Sequence, residues 1–191
     1  MLAIELLRMH REKLRAEDLK LVERLLRQAK TWAYVDELAV AVAGFLVERF
    51  PAQTSILDRW ARDADFWIRR SAMLALLSPL RRGAGDFDRF SRYADAMLEE
   101  REFFIRKAIG WVLRETGKRR PGLIADWLLP RCPRASGVTV REAVRWLLPE
   151  QRDACLAAYK QATGRVVTTT RNHAPKQNSG RKLPPAVRRS P

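Results

Sequence analysis

From residue 2 to residue 163, prolines and short polar turns cut the chain into apolar segments of helical period, and strand-type alternation is absent. Segments 2–14 and 17–28 carry leucines three and four residues apart, and 36–50 follows, closed by Pro51. Thr54 or Ser55 can cap a short helix to about residue 63, and 66–77 ends before Pro79. Residues 82–86, with two glycines, read as a loop. Segments 87–99, 103–117, 122–129, 140–147 and 150–163 bring the total to about ten helices, bounded by Pro121, Pro130, Pro133 and Pro149.

The expected fold class is therefore all-α. Helices of roughly 10–15 residues, paired roughly every 35–40 residues, point to an α-solenoid of HEAT-like repeats. An irregular helical bundle is the alternative that periodicity alone leaves open. A solenoid presents a concave surface, and a basic one fits a nucleic-acid duplex.

Charge points the same way. Thirty-seven Lys and Arg against twenty-two Asp and Glu leave a net +15, which favours a polyanionic partner: DNA, RNA or an anionic membrane surface. Residues 165–191 hold seven of these cations and no acid, so residues 1–164 keep a net +8 without them. The reading is one helical domain, 1–164, followed by a disordered basic tail, 165–191, that adds salt-sensitive affinity for phosphates. No run approaches the ~20 apolar residues of a membrane span. Cys132 and Cys155 lack zinc-site spacing, and as free structural thiols they fit a reducing cytoplasm. His10 and His173 fall in an outer amphipathic helix and in the tail, and no metal or cofactor is expected.

The segment 102–115, EFFIRKAIGWVLRE, is the most specific in the chain. Phe104, Ile105, Ala108, Ile109, Val112 and Leu113 form a wide apolar stripe, with Arg106, Lys107 and Arg114 beside it. Gly110 costs a helix interior roughly 1 kcal/mol relative to Ala, so something approaches closely there, either a neighbouring helix or a nucleic-acid backbone. Trp32 and Asp36, four apart near a helix start, can share one face. Asp36 also reads as a helix cap, Trp32 and Trp111 as core, and Arg69 and Arg70 as a solvated face or internal ion-pair partners.

Three blocks taken together carry a resemblance: Thr31-Trp32-Ala33-Tyr34-Val35-Asp36, Trp60 with Asp65-Phe66-Trp67-Ile68-Arg69-Arg70, and the whole of 102–115. In order and separation they resemble the DNA alkylation repair glycosylases built from HEAT-like repeats, over roughly residues 1–160. The resemblance implies that Asp36 is the catalytic carboxylate. It implies that Trp32 and Trp111 flank the deoxyribose of the damaged nucleotide, and that Arg70 lines the cleft and contacts the DNA backbone. Arg69, Arg106 and Lys107 are expected near phosphates. The implied activity is removal of cationic alkylated purines, 7-methylguanine and 3-methyladenine, from duplex DNA without drawing the base into a pocket, unlike most glycosylases. A helical DNA-binding protein without catalysis is the rival reading, and a protein-binding scaffold a third.

The resemblance also implies further helices ahead of residue 1. Without them Leu2, Leu6 and Leu7 would lie on an exposed face. The chain is then expected to be a monomer on DNA, with self-association through that face as the alternative.

Overall fold

A computed structural model describes residues 2–168. From 169 onward the expected tail lies outside the described residues. Twelve α-helical stretches, with short 3₁₀ turns between some of them, make up an all-α, solenoid-like structure, and no strand occurs among the described residues. They are α1 (Leu2–Met9), α2 (Leu19–Gln28), α3 (Trp32–Glu37), α4 (Gly44–Arg49), α5 (Ser55–Trp60), α6 (Phe66–Leu74), α7 (Leu77–Arg81), α8 (Phe87–Met97), α9 (Phe103–Gly117), α10 (Pro121–Leu128), α11 (Gly137–Ala143) and α12 (Pro149–Thr163).

Several boundaries differ from the sequence expectation, each for a local reason. The helix expected from residue 36 begins at Trp32, after extended Thr31, and a π-helical segment, Leu38–Ala43, joins α3 to α4 without a break. The helix expected over 66–77 stops at Leu74 and restarts as α7 with Pro79 inside its first turn. There the missing proline amide is one of the four that a helix N-terminus leaves unbonded anyway. At the start of α11 the Ser136 hydroxyl accepts from the Thr139 amide at 3.1 Å, so the helix begins before Val140. Thr54 does not cap α5 with its side chain; its hydroxyl donates to the Pro51 carbonyl at 2.7 Å.

Helix α9 matches its expected span and lies at the centre, packed on α6, α7, α10 and α11. Ile105, Ile109, Val112 and Leu113 on it are fully buried, each contributing roughly 1.5–3 kcal/mol. Trp60, Trp67 and Trp127 are core residues. Cys132 and Cys155 are free, buried thiols, and their mutual hydrogen bond together with burial pushes the Cys132 thiol up. Among the described residues no helix is long and apolar enough to cross a membrane.

Several polar links between helices recur at nearly the same sequence separation. Arg59 pairs with Glu23, Arg70 with Asp36, Arg82 with Glu48, Lys107 with Glu142 and Arg131 with Asp95, while the Tyr93 hydroxyl donates to Asp58. Every one of these separations is between 34 and 36 residues. That is the spacing at which each helical pair of a stacked array meets the next. The period is carried by ion pairs at least as plainly as by leucines.

At the N-terminal end Leu2 and Leu6 are exposed, as expected, but Leu7 is half-buried against the core. A hollow of about 640 Å³ between α1 and α3 is lined by Leu2, Ile4, Ala33 and Tyr34. Its two carboxylates, Glu5 and Glu37, both pair with Arg8.

Candidate functional site

Helices α3, α6 and α9 bring together a second, smaller cleft of about 360 Å³, lined by Trp32, Asp36, Arg70, Phe103, Lys107 and Trp111, with Phe104 and Arg114 completing the wall. Trp32 and Asp36 stand one turn apart on α3, so both side chains enter from the same face. Trp32 is 57% exposed. A large indole left that open is not serving the core.

Asp36 is not a helix cap. Its carboxylate takes two parallel hydrogen bonds from Arg70, Nε to Oδ1 at 2.7 Å and Nη2 to Oδ2 at 2.8 Å. Arg70 projects from α6, whose start is set by Asp65 accepting from the Trp67 amide at 2.8 Å. Its Nη1 donates to the Phe104 carbonyl on α9, and the guanidinium lies over the Phe104 ring at 5.9 Å. The residue is 3% exposed. A guanidinium buried this deeply needs a counter-charge in contact, and a bidentate carboxylate has the matching geometry. Three of the five guanidinium N–H groups are engaged in this way. Arg70 thus fixes the orientation of Asp36 and ties three helices at the cleft floor.

On α9 the cleft residues Phe103, Lys107, Trp111 and Arg114 are spaced four, four and three apart, a single stripe beside the buried one. Phe103 is not picked out by the sequence and Arg114 only as a charge beside the apolar stripe, although this spacing, continued from Lys107 and Trp111, reaches both. Glu142 on α11 anchors the two cations: it accepts from Lys107 Nζ at 2.6 Å and also pairs with Arg114. Burial raises the Glu142 carboxyl, but Lys107 and Arg114 outweigh this and hold it below its usual value.

Gly110 is explained by the same contact. A Cβ there would lie 2.7 Å from Glu142 Cβ and 3.2 Å from the Thr139 carbonyl oxygen. The close approach is helix α11, not a nucleic-acid backbone. Gly110 lets α11 come near enough for Glu142 to reach both cations.

Two of the expected phosphate contacts do not line this cleft. Arg69 bonds Glu100 at 2.8 and 3.1 Å and the carbonyls of Asp63 and Ala64, so it staples the loop before α6 to the one before α9. Arg106 donates Nε to the Glu100 carbonyl at 2.7 Å, one helical position away from the cleft stripe. Among the described residues no three His, Cys, Asp or Glu side chains gather as a metal site.

The cleft is a groove lined by one oriented carboxylate, two indoles and three cations, each of them paired with a carboxylate. The chain belongs to the DNA alkylation repair enzyme family, whose family model matches residues 1–147 and so spans every residue of the cleft. Membership makes it an enzyme of DNA alkylation repair. No curated protein matches the chain.

Proposed function

We propose that this chain is a monofunctional DNA glycosylase that hydrolyses the N-glycosidic bond of cationic alkylated purines, 7-methylguanine and 3-methyladenine, in duplex DNA. The observation that supports it best is the convergence of Trp32, Asp36, Arg70 and Trp111 from three helices on one cleft.

The chemistry needs little else. A purine alkylated at N3 or N7 already carries a positive charge, so it departs as a neutral base and no general acid is required. Positive charge then develops on the deoxyribose, where a fixed carboxylate lowers the barrier. Asp36, oriented by Arg70, is the group for this role, and its remaining lone pairs can direct the attacking water. Trp32 and Trp111 add attraction of the cation–π kind, about 0.5–2 kcal/mol each. Lys107 and Arg114 face the phosphates on either side of the sugar, on the concave surface of a HEAT-like array. Lys107 Nζ is bonded to Glu142 at 2.6 Å, and no lysine is evidently placed as a Schiff-base nucleophile for strand cleavage. Release therefore leaves an abasic site.

The test is release of 7-methylguanine and 3-methyladenine from methylated duplex DNA by the purified chain, alongside Asp36→Asn. The expected result is release by the wild type and none by the variant, with duplex binding retained. Undiminished release by Asp36→Asn overturns the assignment, and binding without release by the wild type establishes the non-catalytic alternative.

A further inference from the structure

A second pocket, of about 320 Å³, opens on another side of α9 and takes no part in the chemistry above. It is lined by Arg106 from α9, Arg134 and Ser136 from the turn before α11, Tyr159 from α12, and Arg165 just after that helix. Its only carboxylate is Glu99, which pairs with Arg134 at 2.7 Å, leaving two guanidinium charges in excess. Arg106 uses Nε on the Glu100 carbonyl, and among the described residues neither its terminal nitrogens nor the Arg165 guanidinium has a hydrogen-bond partner.

Tyr159 adds a neutral donor to the pocket wall. The residue is 5% exposed and lines the pocket, and its hydroxyl makes no hydrogen bond with any described residue. The hydroxyl is held in place: it lies 3.0 Å from where a Cβ on Gly137 would stand, and Val167 closes the same wall from the segment after α12.

We infer that this pocket binds a phosphate group, with Arg106, Arg134 and Arg165 opposing its charge and Tyr159 donating its hydroxyl. Two or three guanidinium groups converging on one small polar pocket match the charge and the several acceptor oxygens of phosphate. Arg106 and Lys107 are consecutive on α9, and one faces this pocket while the other faces the cleft. A phosphate of the same nucleic acid is one source of the ligand, and free inorganic phosphate the other. The site itself does not depend on the glycosylase reading.

The probe is inorganic phosphate titrated against the full chain at constant ionic strength, read by NMR at the Tyr159 ring and the arginine Nε–H groups. Saturable shifts are expected, weakened at least tenfold in Arg165→Gln/Arg134→Gln and reduced in Tyr159→Phe, with chloride giving none. In parallel, binding of undamaged duplex DNA is followed against salt. If the ligand is a DNA phosphate, the double variant lowers the slope of log K on log salt by about one; if it is free phosphate, the slope is unchanged while the shifts persist. Absence of phosphate-specific shifts overturns the site, whatever the base-release assay shows.

Discussion

Asp36 and Arg70 face each other across α3 and α6 through two parallel hydrogen bonds of 2.7 and 2.8 Å, the arginine buried and the carboxylate edge open to the cleft. The pair does structural and chemical work together. Removing the arginine leaves a partly buried carboxylate uncompensated, which typically costs about 3–5 kcal/mol. Arg70→Ala is therefore expected to lower the unfolding free energy by roughly 3 kcal/mol or more in urea denaturation. A loss under about 1 kcal/mol would show that Asp36 is solvated well enough to stand alone.

Gly110→Ala isolates the helix contact. Intrinsic propensity favours alanine by about 1 kcal/mol, but the new methyl would meet Glu142 Cβ at 2.7 Å. Overpacking of this kind costs about 1–3 kcal/mol, so net destabilisation is expected. An increase in denaturation midpoint would mean that α11 moves aside cheaply.

The two indoles divide catalysis from stability. Trp32→Ala removes an exposed ring, so the melting transition should move little, while base release slows about 2- to 30-fold, the rate equivalent of the cation–π range. Trp111→Ala should slow release similarly with a larger, still modest, loss of stability, since Trp111 is half-buried. A collapsed melting transition with proportionate loss of activity would return Trp111 to the core.

Acid sensitivity follows from the depressed carboxyls. The Arg59 hydrogen bond above all, with smaller contributions from Trp60 and then Arg27, outweighs burial and holds Glu23 at about 2 against an ordinary 4.5. Asp63, Glu115 and Glu142 are also lowered, Asp63 chiefly by Arg27. Groups lowered on folding contribute stability that is full above the unfolded value and lost as pH falls through the folded one. The melting temperature should therefore fall steadily from about pH 4.5 to about pH 2. Glu23→Gln should flatten part of that slope, and an unchanged slope in the variant would remove Glu23 from the account.

Much of this was legible along the chain, and the illegible parts share a cause. Helical period and proline punctuation marked nearly every element, because amphipathic burial and the missing proline amide act within a few residues. Pro79 misled at the end of α6, since whether a proline ends one helix or opens the next depends on what lies beyond it. Trp32, Asp36, Arg70, Lys107 and Trp111 do meet in one cleft. Arg69 and Arg106, of the same chemical type and next in sequence to two of these, do not.

The sequence by itself determined the all-helical class, the basic balance and the family, all of which rest on local periodicity, summed charge and short motifs. Only the tertiary structure decided which cations face the cleft, that Gly110 serves the contact with Glu142, and that Tyr159 lines one pocket with Arg106, Arg134 and Arg165. The physical reason is the 100° turn between successive helical residues. It sends neighbours such as Arg106 and Lys107 to different surfaces, and only the packing of other helices against α9 makes one surface a cleft, another a pocket and the rest a core.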